Sequence, residues 1–77
     1  MEQSIRAGAR LGDNVRKARK AKGLTQELLT ARLQVNGCDL TRSALSKIEI
    51  GTRHITVKEL EAIRKVLDMD YADFFKE

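Results

Sequence analysis

Two sets of residues in this sequence carry chemistry beyond packing. The first is Cys38 with His54, the only thiol and the only imidazole in the chain. As a nucleophile and base they would need a third group to orient the base. None is evident beside either residue, and they fall in separate loops between helical patterns. Nor can the two hold zinc, which takes four protein ligands in a structural site and three plus water in a catalytic one. No glycine loop of phosphate-cradling spacing occurs. Catalysis is therefore not expected, nor is a metal, a cofactor or a small-molecule ligand. The lone thiol cannot close an internal disulfide and reads as a reduced cysteine of a cytoplasmic protein.

The second set is a run of hydrogen-bond donors, Arg42, Ser43, Ser46 and Lys47, interleaved with Leu45 and Ile48. At helical spacing the polar side chains leave by one face and the apolar ones by the other. A short helix showing donors outward while its apolar side holds to a scaffold meets the physical requirement for reading a major groove, which is about 12 Å wide and admits one α-helix. The competing explanation is an ordinary solvated helix face, polar outward only because water lies there.

The elements that must position those donors are helices. Proline is absent, while Leu, Ala, Lys, Arg and Glu are abundant, a composition that favours helix. Residues 1–10 carry little apolar periodicity and read as a flexible arm, so the folded domain is expected over 11–77. Leu11, Val15 and Ala18 predict a first helix to about Lys22, stopped by Gly23. Thr25 caps a second from Gln26 to Val35, with Leu29 and Leu33 inward and Asn36-Gly37 as its stop. Thr41 caps the donor-bearing helix, which Gly51 ends. Thr56-Val57-Lys58-Glu59 is a capping box, with Ile55 and Leu60 as its staple, and it opens a fourth helix lined by Leu60, Ile63 and Leu67. Asp70 caps a last turn holding Tyr71, Phe74 and Phe75.

Leu11-Gly12-Asp13-Asn14-Val15-Arg16-Lys17-Ala18-Arg19, then Gly23-Leu24-Thr25-Gln26-Glu27, then Leu45-Ser46-Lys47-Ile48-Glu49-Ile50-Gly51, in this order, resemble the Cro/repressor-type helix-turn-helix family, also called the XRE family. The likeness continues through Leu60, Ile63 and Leu67 to Tyr71 and Phe74. It implies an all-α, compact five-helix, lambda-repressor-like domain that binds double-stranded DNA as a small transcriptional regulator, expected to be a repressor. By the same likeness Arg42, Ser43 and Lys47 face base edges. Arg and Lys suit guanine O6 and N7, and Ser suits several acceptors or donors. Thr25, Gln26, Thr41, Ser46 and Arg53 are implied at the DNA backbone, and Arg19 with Glu49 as an internal ion pair. The stretch Gln34–Leu40 is longer than the family's usual Gly-containing turn, which predicts a lengthened second helix and a wider loop.

Net charge is +4, unevenly placed. Residues 1–58 hold twelve Lys/Arg against five Asp/Glu, and residues 59–77 hold three against six. A basic body with an acidic end suits a molecule offering one face to a polyanion. Arg6 and Arg10 on a loose arm could enter a minor groove, the alternative being a disordered end with two solvated arginines. Tyr71, Phe74 and Phe75 cannot all pack inward from one short turn. At least one phenylalanine is expected to close the core and the remainder of the three, with Met69, to form a homodimer contact, as helix-turn-helix domains commonly pair on half-sites. No apolar run is long enough to span a bilayer. The alternative is a protein-interaction module, such as an antitoxin-like partner on the same scaffold, to which Leu28 and the aromatic end would contribute.

Overall fold

A computed structural model describes residues 4–6 and 8–77. The helices are α1 (Gly8–Ala21), α2 (Gln26–Val35), α3 (Arg42–Glu49), α4 (Val57–Leu67) and α5 (Tyr71–Phe74). Two short strands, β1 (Ser4–Arg6) and β2 (His54–Thr56), pair antiparallel with Ile5 opposite Ile55.

The five helices match expectation in order and, within a few residues, in extent. The start of the chain does not. The loose arm expected over residues 1–10 is, in its described part, a strand followed by the first turn of α1. A three-residue strand carries too little alternation to be read from sequence, and its hydrogen-bonding partner lies about fifty residues away. The side chain of Arg6 lies outside the described residues. Arg10 is on α1 and pairs with Glu77 at 2.9 Å.

The core is a single cluster in which Val15, Leu29, Leu33, Leu45, Ile48, Ile55, Ile63 and Phe74 are wholly enclosed. Helix α1 lies against α3, α4 and α5, and α2 lies against α3 and α4. Gly12 permits the approach of α1 to α3. A Cβ built there would stand 2.5 Å from Glu49 O and nearer still to Ile48 O. Only a residue without a side chain lets the α1 backbone touch the end of α3.

Loops between the first three helices are held by Schellman closures. After α2, Cys38 N donates to Leu33 O at 2.8 Å and Gly37 N to Gln34 O at 3.0 Å, with Gly37 in the left-handed region at φ 81°. The chain then sends Cys38 and Leu40 into the core while Asn36, Gly37 and Asp39 face solvent. The long α2–α3 connection is thus pinned at two points, and Asp39 turns away from the packed interior. Thr30 bonds its hydroxyl back to Glu27 O at 2.9 Å, as a helical threonine does.

At the C-terminal end, Asn14 Nδ2 donates to both Phe74 O and Lys76 O at 2.9 Å. Phe74 fills the core and Met69 is also buried, so neither is available to a partner. The surface expected from Met69, Tyr71, Phe74 and Phe75 reduces to the exposed Tyr71 and Phe75. One short turn cannot aim three aromatics in one direction, and the core takes the middle one. Elsewhere Leu28 and Val35 stand exposed on α2 and, with Val66, line an open apolar groove. Among the described residues no helix is long and apolar enough to cross a membrane.

Candidate nucleic-acid interface

The donor face of α3 is assembled as its residue order requires. Thr41 Oγ1 accepts from Ala44 N at 3.1 Å and starts the helix. Leu45 and Ile48 are fully enclosed, and this fixes which side faces out. Arg42, Ser43 and Lys47 are exposed, and Ser46 is half-buried beside them. Helix α2 begins on the same side of the molecule. Its cap, Thr25, accepts from Leu28 N at 3.1 Å, and Gln26 shares a shallow hollow with Arg42, Ser43, Ser46 and Lys47.

A buried ion pair fixes the angle of α3. Arg19 Nε reaches Glu49 Oε2 at 2.7 Å and Nη2 reaches Oε1 at 3.0 Å, a two-pronged contact between α1 and the last residue of α3. Arg19 Nη1 also donates to Leu24 O at 2.7 Å, tying in the α1–α2 turn. Gln26 Nε2 donates to Glu49 Oε1 at 3.1 Å. Glu49 is 5% exposed and its carboxylate oxygens are satisfied by Arg and Gln, which is what makes a buried charge tolerable.

The remaining implied residues divide. Thr25, Gln26, Thr41 and Ser46 lie around the donor face. Arg53 does not stand free. Its Nη1 donates to His54 O at 2.8 Å and to Glu59 Oε1 at 2.9 Å, and its Nη2 to Glu59 Oε2 at 3.2 Å. Glu59 closes the capping box of α4, accepting from Thr56 N and donating its own N–H to Thr56 Oγ1, both at 3.0 Å. Burial pushes the Glu59 carboxyl up, but the Arg53 guanidinium and the Thr56 N–H outweigh it and hold the group below the usual carboxylate value. Arg53 therefore retains only Nε–H and one Nη2–H for an outside acceptor.

Two features of this face go beyond the expectations from sequence. Glu27 on α2 approaches Arg42 at 3.6 Å, both side chains being largely exposed, a meeting that depends on the helix–turn–helix angle. Ile50, the residue closing α3, also lines the donor hollow. Its spacing of i+7 from Ser43 and i+3 from Lys47 was the available signal.

Cys38 and His54 show no catalytic arrangement. Burial pushes the Cys38 thiol up, with the nearby Glu59 charge adding to it, so at neutral pH it is an unreactive protonated thiol. Among the described residues no group of His, Cys, Asp and Glu is placed to hold a metal ion.

A family model described as helix-turn-helix matches residues 15–74. Among proteins of curated function none matches. Among solved structures, the chain is similar to the restriction-modification controller protein C.AhdI from Aeromonas hydrophila, at 28% identity over 87% of this chain and 94% of that one, with a TM-score of 0.74. It is also similar to wild-type C.Esp1396I, another restriction-modification controller protein, at 33% identity over 95% and 88% of the two chains and a TM-score of 0.71. The tetramer of C.Esp1396I, solved in complex with its natural 35 base-pair operator, matches with the same identity and score.

Proposed function

Because the chain belongs to the XRE-type helix-turn-helix family, we propose that it is a sequence-specific regulator of transcription that reads double-stranded DNA with α3. The observation that carries this reading is the two-sidedness of that helix. Leu45 and Ile48 are enclosed, Glu49 is locked to Arg19, and Arg42, Ser43 and Lys47 project outward. Electrostatic binding to phosphates alone would not require so rigid a mounting. Base readout does, because bidentate donors must meet acceptors within hydrogen-bond distance. A relative of the same fold was solved on its operator, which agrees with this role.

In this reading Arg42, Ser43 and Lys47 meet base edges. Thr25, Gln26, Thr41 and Ser46 meet the sugar-phosphate backbone, where the N-terminal N–H groups of α2 also point. Arg53 adds a backbone contact through the donors its Glu59 clamp leaves over. No catalytic step and no cofactor enter, and a regulator of this kind works in the cytoplasm. Two copies would pair through the exposed Tyr71 and Phe75 to span successive half-sites.

Selection of bound duplexes from a random library tests the proposal. A single preferred sequence is expected, with affinity falling steeply as salt rises because Lys and Arg displace condensed counterions. Binding of all duplexes alike would overturn sequence-specific reading. Failure to bind any duplex would leave the apolar groove of Leu28, Val35 and Val66 as the basis for an interaction module instead.

A further inference from the structure

Ile50 has no role in the reading given above, yet it stands on the same face. It follows Ser43 and Lys47 at i, i+4, i+7 spacing and closes α3 with a helical backbone. It shares its hollow with Gln26, Arg42, Ser43, Ser46 and Lys47. Every one of those five side chains can donate a hydrogen bond, and Ile50 alone cannot. It is nevertheless 65% exposed.

A solitary exposed isoleucine is common on protein surfaces. This one differs in its company and in its mounting. Ile48 and Glu49, just before it, are buried. Its own N–H donates to Ser46 O at 3.1 Å. Immediately after it, Gly51 turns left-handed at φ 84° and Thr52 N closes on Lys47 O at 2.9 Å. The side chain is therefore presented from a fixed point, so little conformational freedom is lost when something packs against it.

Among the base edges of the major groove, the apolar group displayed beside the acceptors is the C5-methyl of thymine. We propose that Ile50 is a specificity-determining residue that packs against a thymine C5-methyl, next along the groove from the base met by Lys47. The inference rests on α3 being the DNA-reading helix, and it names one feature of the preferred site, a thymine at a fixed step from the contact of Lys47.

The test uses the full chain and the duplex it selects, with each thymine replaced in turn by deoxyuridine, which lacks only the methyl group. One replacement should weaken the parent protein about four-fold, the worth of one buried methyl. The same replacement should leave Ile50→Ala unaffected, whereas the other replacements act on both proteins equally. Ile50→Val, which keeps a branched apolar group, should retain most of the effect. A shared urea midpoint for the three proteins would show that folding is not involved. If the selected duplex is bound but no replacement distinguishes the parent from Ile50→Ala, the methyl contact is overturned while DNA reading by α3 stands. If no duplex is preferred at all, the DNA reading falls and the methyl contact falls with it.

Discussion

Gln26 Nε2 donates to Glu49 Oε1 at 3.1 Å, joining the first residue of α2 to the last residue of α3. The same oxygen accepts from Arg19, so one carboxylate sets both helices against α1. Removing one partner of a buried ion pair strands the other charge and costs about 3–5 kcal/mol. Glu49→Ala should lose stability on that scale, read as a fall in the urea midpoint. Gln26→Ala should cost under about 1 kcal/mol, a single net hydrogen bond, because the ion pair persists. Equal losses would assign the joint to the amide instead.

Gln26, set against Arg42 and Lys47, also separates positioning from reading. Arg42→Ala and Lys47→Ala should each cost about 1–3 kcal/mol on the preferred duplex and relax its sequence preference. Gln26→Ala should weaken preferred and scrambled duplexes alike, since phosphate contacts carry no sequence information. Competition binding with both duplexes measures the split. Full discrimination by Arg42→Ala would mean that α3 is not the reading element.

Backbone fit gives two opposite expectations. Gly12→Ala must push α1 away from the carbonyls of Ile48 and Glu49, and overpacking of this kind costs about 1–3 kcal/mol. Asp68, which closes α4, holds a left-handed φ of 55°, a region where glycine carries no steric penalty. Asp68→Gly should stabilise by about 0.5 kcal/mol, the relief at φ less the entropy glycine loses on folding. Thermal unfolding of both variants reads the two signs.

Acid should expose the Arg53–Glu59 clamp. Glu59 has a lowered folded value, so its contribution is fully present above the ordinary 4.5 and is lost as pH falls from there through the folded value. Glu61 is held at about 2 by Arg64 and by the Tyr71 hydroxyl, but it lies on the surface, where solvent screens such contacts. The urea midpoint of the parent protein should therefore drop more steeply below pH 4.5 than that of Glu59→Gln. Parallel profiles would remove Glu59 as the cause.

The helices were legible because their start and stop residues act over a few positions. Thr25, Thr41 and Thr56 each cap through their own hydroxyl, and the capping box at Thr56 and Glu59 forms as its spacing predicts. The pairing of Arg19 with Glu49 was also accessible, through family likeness. Contacts that depend on inter-helix angles were hidden, among them Glu27 with Arg42, Arg53 with Glu59, and the grip of Asn14 on the last turn. The β1–β2 ribbon was hidden for the same reason, since its two strands are short and distant in sequence. The direction of Phe74 followed from the cavity that the other helices leave, which no local pattern encodes.

The Glu27–Arg42 contact means that the unbound protein already carries an anion opposite its leading guanidinium. Under the proposed reading, a duplex arriving at Arg42 would find that guanidinium already beside a carboxylate, in an exposed pair of small strength. With Arg42 drawn to a base, the Glu27 carboxylate would be left facing the polyanion. If Arg42 gains a guanine as proposed, Glu27 on α2 would weigh against loose, out-of-register encounters more than against that docking.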